Sequence, residues 1–167
     1  MKKYRKKWVA WLFEVSQKFY ITHFKKKKTP WGITKKELLQ FSDASFGFHL
    51  GTFLDSHGFE LIPKVERHDA YHVLTGYGTN EQDEIALQYL CFGNGKRSLY
   101  GYGVVLIGTM LLPEYLPYYL DSYTIGKKAN HFHDFDFSKL LHVPIKELQY
   151  SIFSTALRSK LFLNKVI

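Results

Sequence analysis

Apolar residues recur along this chain at spacings of three and four, and no stretch sustains the alternation of apolar and polar positions that a half-buried strand requires. The pattern predicts an all-α fold, a single-domain helical bundle of about six to eight helices. Trp8, Trp11, Leu12, Val15 and Phe19 line one side of an amphipathic helix expected over residues 4–23, with Lys and Arg opposite. Thr34-Lys35-Lys36-Glu37 fits a capping box that opens a helix through Leu38, Leu39 and Phe41. Further helices are expected over Phe46–Ser56, stopping at Gly58, and from Pro63 to near Gly76 and Gly78. Thr79-Asn80-Glu81-Gln82 reads as a second capping box, whose helix closes at Gly93-Asn94-Gly95. Residues 99–112 read as a buried helix, and residues 113–129 as another that Pro117 shortens or kinks.

Composition sharpens this picture. A chain of 167 residues with 46% hydrophobic content can bury one core and has no room for a second. The single cysteine, Cys91, excludes an internal disulfide and reads as a small buried apolar residue. The formal net charge of +8 is concentrated at one end. Residues 1–28 hold ten cations against Glu14 alone, and the remainder is close to neutral. The basic excess points to an anionic partner such as a membrane surface met through residues 1–28, where tryptophans and lysines share one helix, while the same pattern equally fits a first helix docked on the core with a solvated back, and both can hold together. With a near-neutral remainder and no nucleic-acid motif, nucleic-acid binding is not expected. The apolar run at residues 101–112 is about twelve residues long where about twenty would span a bilayer, so the expectation is a cytoplasmic, peripherally membrane-associated protein.

The densest chemistry lies in His68-Asp69-Ala70-Tyr71-His72, followed after eleven residues by Glu84. At about 100° per residue, His72 falls about 40° and Asp69 about 100° from His68, within one arc of a helix. Glu84 belongs to the next helix, joined by a short turn that favours an antiparallel neighbour. Two imidazoles with two carboxylates suit Zn²⁺ first and accept Fe²⁺ as well. Four protein ligands would close such a site, whereas three would leave a position for water or a substrate oxygen.

This pattern resembles the signature of the coenzyme Q biosynthesis protein 4 family, HDxxH followed by eleven residues and Glu, which is a zinc-binding motif there. Three further segments are similar to that family in the same order. Glu84-Ile85-Ala86-Leu87-Gln88-Tyr89 resembles its Glu-x-Ala-Leu-Lys-Trp run, and Tyr123-Thr124-Ile125-Gly126-Lys127-Lys128-Ala129 its Tyr-x-x-Gly-basic-x-Ala segment. Val143-Pro144-Ile145-Lys146-Glu147-Leu148 resembles its Val-Pro-Leu-x-Glu-Leu tail. The resemblance divides the chain into a basic amphipathic segment at 1–30, a metal-binding all-α domain at 31–153, and an extension at 154–167. No mitochondrial targeting extension is read, which fits a bacterial-type member.

What the resemblance implies is a lipid-associated protein of ubiquinone or related quinone biosynthesis, with metal on His68, Asp69, His72 and Glu84. The expected ligand is a prenylated quinone precursor or another polyprenyl lipid, and other quinone-pathway enzymes are the implied protein partners. The implied reaction is replacement of a ring carboxylate at C1 by hydroxyl, an oxidative decarboxylation. The alternative is a non-catalytic lipid-binding or assembly factor in which the metal only braces two helices. A homodimer is compatible with either role.

Gly51, Gly101, Gly103 and Gly108 interrupt the two most apolar segments, each costing about 0.5–1 kcal/mol relative to Ala, which suggests close approach of a flat lipid chain or of another helix. Lys127 and Lys128, at an expected helix end, complement the helix dipole or bind an anionic headgroup. His131-Phe132-His133-Asp134-Phe135-Asp136 offers a second, weaker metal cluster. A phosphohydrolase set of His57, His68, Asp69 and Asp134 ranks below the others because it leaves His72 and Glu84 unexplained.

Overall fold

The computed structural model describes residues 29–163 together with Tyr4, Arg5, Lys7 and Trp8, which are helical. The expected helix over 4–23 and the lysine run at 25–28 otherwise lie outside the described residues. Eight α-helices occur among the described residues, with no strand beyond one isolated antiparallel bridge between Ser45 and Pro144. The all-α class is as expected. The helices are α1 (Lys35–Leu38), α2 (Phe46–Ser56), α3 (Glu66–Thr75), α4 (Glu81–Gly93), α5 (Leu99–Leu111), α6 (Leu116–Lys128), α7 (Ile145–Ile152) and α8 (Thr155–Arg158). They fall into two compact units interleaved along the chain. One takes Tyr77–Asp134 with the N-terminal residues, and the other takes Lys27–Gly76 and Phe135–Ile167.

In the unit holding α1 to α3, α7 and α8, the Thr34 capping box forms as read. The Thr34 hydroxyl accepts from the Glu37 amide, and the Glu37 carboxylate accepts from the Thr34 amide at 2.7 Å. The Thr34 hydroxyl donates to the Glu37 carboxylate at 2.6 Å, and this bond first, with the one from the Thr34 amide, holds the Glu37 carboxyl below its ordinary range. The helix they start lasts one turn, so Leu39 and Phe41 follow it rather than belong to it. Gly51 lets α2 press on that turn, since a β-carbon there would stand 3.0 Å from Leu38 Cβ and from the Leu39 amide. The third helix begins later than expected. Lys64 adopts a left-handed φ of 74°, which breaks helical geometry between Pro63 and Glu66, so Pro63 sits in the preceding turn. The helix ends at Gly76, whose φ of 68° lets its amide reach the His72 carbonyl.

Apolar spacing of three and four places Ile145, Leu148 and Ile152 on the buried side of α7. Its start is joined to that of α2, where the Phe46 amide donates to the Val143 carbonyl at 2.8 Å and Ile145 to Ala44 at 2.9 Å. Phe46, Leu50, Leu54, Tyr71, Leu74, Phe137 and Phe153 fill the core of this unit.

In the other unit, α4 is capped by Asn80, whose side chain accepts from the Asp83 amide at 3.0 Å, rather than by the expected Thr79–Gln82 pair. Asp83 in turn accepts from Asn80 Nδ2 at 3.2 Å and from the Gly78 amide at 3.0 Å, so the pair ties the turn before the helix to its first turn. The helices α4 and α6 meet backbone to backbone: a β-carbon on Gly93 would overlap the Tyr123 carbonyl, and one on Gly126 the Leu90 carbonyl. The Cys91 side chain is buried in this unit, which pushes its thiol up. Pro117 falls in the first turn of α6, where its missing amide costs nothing, and the kink expected from it is replaced by a 3₁₀ turn at Pro113–Tyr115. Arg5 pairs with Glu114 of this unit at 3.0 Å.

The buried helix expected at 99–112 is corrected by the structure. Among the described residues, α5 meets α4 along one edge, where Gly108 lies under Ile85, the Tyr89 and Thr109 hydroxyls bond at 2.8 Å, and Phe92 meets Tyr102 edge-on. Leu99, Leu106 and Met110 are 75%, 64% and 73% exposed, with Tyr102 and Ile107 exposed beside them. A helix apolar all round carries no polar side to mark its solvent face, so hydropathy could not show how little of it is covered. No helix among the described residues is long and apolar enough to cross a membrane; Leu99–Leu111 and Pro113–Lys128 reach that length only together, across a bend of 105°.

The glycine contacts give a paired test. Gly126→Ala should lower unfolding stability by about 1–3 kcal/mol through overpacking, whereas Gly103→Ala, whose β-carbon meets nothing within 4 Å, should raise it by about 0.5–1 kcal/mol. Urea unfolding of both variants reads the difference, and equal effects would contradict the α4–α6 contact.

Candidate metal centre

One turn of α3 separates His68 from His72 and stacks their side chains on one face, as the sequence spacing requires. Their ring centroids stand 4.7 Å apart at 71°, and each ring offers a nitrogen within 4.8 Å of the other. His72 is 2% exposed and lies flat against Phe53 of α2, with centroids 5.5 Å apart and 13° between planes. Phe53 is in turn 4.6 Å from the ring of His57, so one phenyl ring touches both imidazoles. His57 Nδ1 lies 2.8 Å from the Phe53 carbonyl of its own helix. Asp69 Oδ1 is 3.9 Å from His68 Nδ1, beyond hydrogen-bond length. The imidazoles are thus held by burial on one side and a half-exposed edge on the other.

Glu84 stands in the first turn of α4, half-buried, with its amide bonded to the Asn80 carbonyl at 3.0 Å. Negative charge is favoured at that helix end. Its neighbour Asp83 is already committed, accepting from the Tyr118 hydroxyl at 2.7 Å, the Gly78 amide at 3.0 Å and Asn80 Nδ2 at 3.2 Å. The donor set read from the sequence therefore comprises two imidazoles sharing one face, an adjacent carboxylate, and a carboxylate at the start of a separate helix. That chemistry fits zinc or ferrous iron and disfavours calcium or magnesium, which take oxygen ligands.

The four glycines expected at a lipid have distinct surroundings. Gly51 and Gly108 make room for neighbouring helices, a β-carbon at Gly101 would stand 2.9 Å from the capping Ser98 hydroxyl, and Gly103 faces open space. Lys127 and Lys128 are exposed in the last turn of α6. Sequence reasoning missed a polar relay in which the Tyr77 hydroxyl donates to Ser122 Oγ at 2.7 Å and Ser122 donates to the Tyr118 carbonyl at 2.8 Å. Burial, first of all, pushes the Tyr77 and Tyr118 phenols above their ordinary range. The abundance of tyrosine was the only signal for it.

No protein-family profile matches the chain, and no curated protein matches it. Among solved structures, its fold is similar to that of a protein from Nostoc punctiforme described as a "Putative ubiquinone biosynthesis protein". The two share 16% sequence identity with a TM-score of 0.61, over 94% of this chain and 80% of the other. At that identity the likeness establishes a shared fold.

A ligand role for His68 has a direct consequence for stability. At free zinc one hundred times its Kd, a site binding only the folded chain adds about 2.7 kcal/mol. His68→Ala should lose about that much of the zinc-dependent gain in chemical unfolding while its metal-free stability changes by about 0.5 kcal/mol or less. An undiminished gain would remove His68 from the ligand set.

Proposed function

We propose that this chain is a metal-binding, prenyl-lipid-associated protein of quinone biosynthesis, with zinc or ferrous iron held by His68, Asp69, His72 and Glu84. The observation that carries the lipid half is the uncovered face of α5, where Leu99, Tyr102, Leu106, Ile107 and Met110 follow helical spacing and all are exposed. Covering each such side chain contributes about 1.5–3 kcal/mol, so a prenyl chain or the acyl boundary of a membrane gains several such terms along this one helix. Gly103 leaves that face open at its middle. The ten cations within residues 1–28 favour an anionic lipid surface in the same role.

The quinone half is supported by the four ordered sequence resemblances and by the fold shared with the Nostoc punctiforme protein. A bound metal would supply Lewis-acid polarisation of a ring carboxylate. Replacement of that carboxylate by hydroxyl is a two-electron oxidation that releases carbon dioxide and requires an external oxidant. In this reading the protein's part is to hold the prenyl tail on apolar helices and present the ring to the metal.

Native mass spectrometry of lipids extracted from the purified full chain tests the reading. The expected result is a polyprenylated ring compound in the wild type and at least about a tenfold loss in Leu106→Asp/Met110→Asp. Absence of prenyl lipid, with concentration-dependent dimers that the same two substitutions abolish, would overturn it in favour of a face that pairs two copies.

A further inference from the structure

The loop after α6 is fixed by a single buried amide. Asn94 Oδ1 accepts from the Phe132 amide at 2.9 Å and the His133 amide at 3.1 Å, while its Nδ2 donates to the Gly126 and Asn130 carbonyls, each at 3.1 Å. Phe132 is fully buried, and the histidines on either side of it are left together, with ring centroids 4.4 Å apart at 79°. His133 Nδ1 lies 2.9 Å from the Asn94 carbonyl oxygen. A carbonyl only accepts, so Nδ1 carries the proton, and in the neutral ring the lone pair sits on Nε2. A histidine whose other nitrogen donates to a backbone carbonyl is in the arrangement that orients metal-bound imidazoles. His131 Nε2 meets Asp134 Oδ1 at 2.9 Å.

Gly95 completes the floor. Its φ of +105° excludes ordinary side chains, and a β-carbon there would stand 3.1 Å from His133 Cε1 and 3.8 Å from His131 Cε1. The two imidazoles therefore rest on bare backbone. The ligating atoms of His131, His133 and Asp134 all lie within 4.8 Å of one another. Tetrahedral zinc with ligands at about 2.0–2.2 Å spaces them at about 3.3–3.5 Å, a small adjustment for these side chains. His131 and Asp134 are 57% and 63% exposed and can move to it.

We propose that His131, His133 and Asp134 form a second metal site, binding one divalent cation of the zinc class with water in the fourth position. Two imidazoles and one carboxylate, with no thiolate, select that class over calcium or magnesium. The site lies wholly within the unit containing Tyr77–Asp134 and shares no residue with the His68 set.

Long-range ¹H–¹⁵N NMR of the imidazoles in the full chain, titrated with zinc chloride, tests it. Ring nitrogens of His131 and His133 should shift together and saturate with one bound ion. His131→Ala, at an exposed position, should weaken the His133 response at least about tenfold, and Asp134→Asn by a similar factor. Rings that ignore zinc, or a His133 affinity unchanged in His131→Ala, would overturn the proposal. Because the readout is on these two rings, failure of metal binding at His68 and His72 leaves the result intact.

Discussion

The direct backbone contact between α4 and α6 is the constraint on which the unit around Tyr77–Asp134 depends. Gly93 and Gly126 each face a carbonyl of the other helix so closely that no side chain fits, and Asn94, between Gly93 and Gly95, ties the end of α6 to the loop beyond it. Two buried helices at this separation leave no space for intervening side chains, so their rims supply the remaining chemistry. The Tyr118 hydroxyl reaches Asp83 on one rim, and the histidine pair of residues 131–133 is pinned on the other. Glu84, one residue beyond Asp83, inherits a fixed place from the same packing.

That arrangement also explains α5. With α4 already engaged along its length by α6, it offers α5 the strip of Ile85, Tyr89 and Phe92, and Leu99, Leu106 and Met110 stay exposed. A protein in water that leaves so apolar a helix uncovered gives up several kcal/mol of burial, which any apolar partner covering that face would recover. In the other unit the His68–His72 pair depends on α3 alone for its spacing and on Phe53 for its orientation. The two imidazoles stand on consecutive turns of one face, His72 buried and His68 half-exposed.

Much of this was legible in the sequence, for local reasons. Capping at Thr34, the span of α2, and the shared face of His68 and His72 follow from hydrogen bonds and periodicity within a few residues. The outward face of α5 was not legible, because residues that are apolar on every side carry no directional signal. Pro63 suggested a helix start that the left-handed Lys64 postponed, and Asn80 displaced Thr79 as the cap because Asp83 rewards it with a return contact from Asn80 Nδ2. Phe53 and Asn94 take their roles from partners distant in sequence, which no local pattern reports. The helix α7 was not expected, although Ile145, Leu148 and Ile152 stand at the helical spacing of three and four.

The central claim is that the motif beginning at His68 and ending at Glu84 binds metal. Anomalous diffraction at the zinc edge, from crystals of the zinc-loaded full chain, tests it most directly. The account expects a peak bonded to ring nitrogens of His68 and His72 and to carboxylate oxygens of Asp69 and Glu84, at about 2.0–2.2 Å from each. A map with zinc elsewhere in the molecule and nothing at these residues would contradict it.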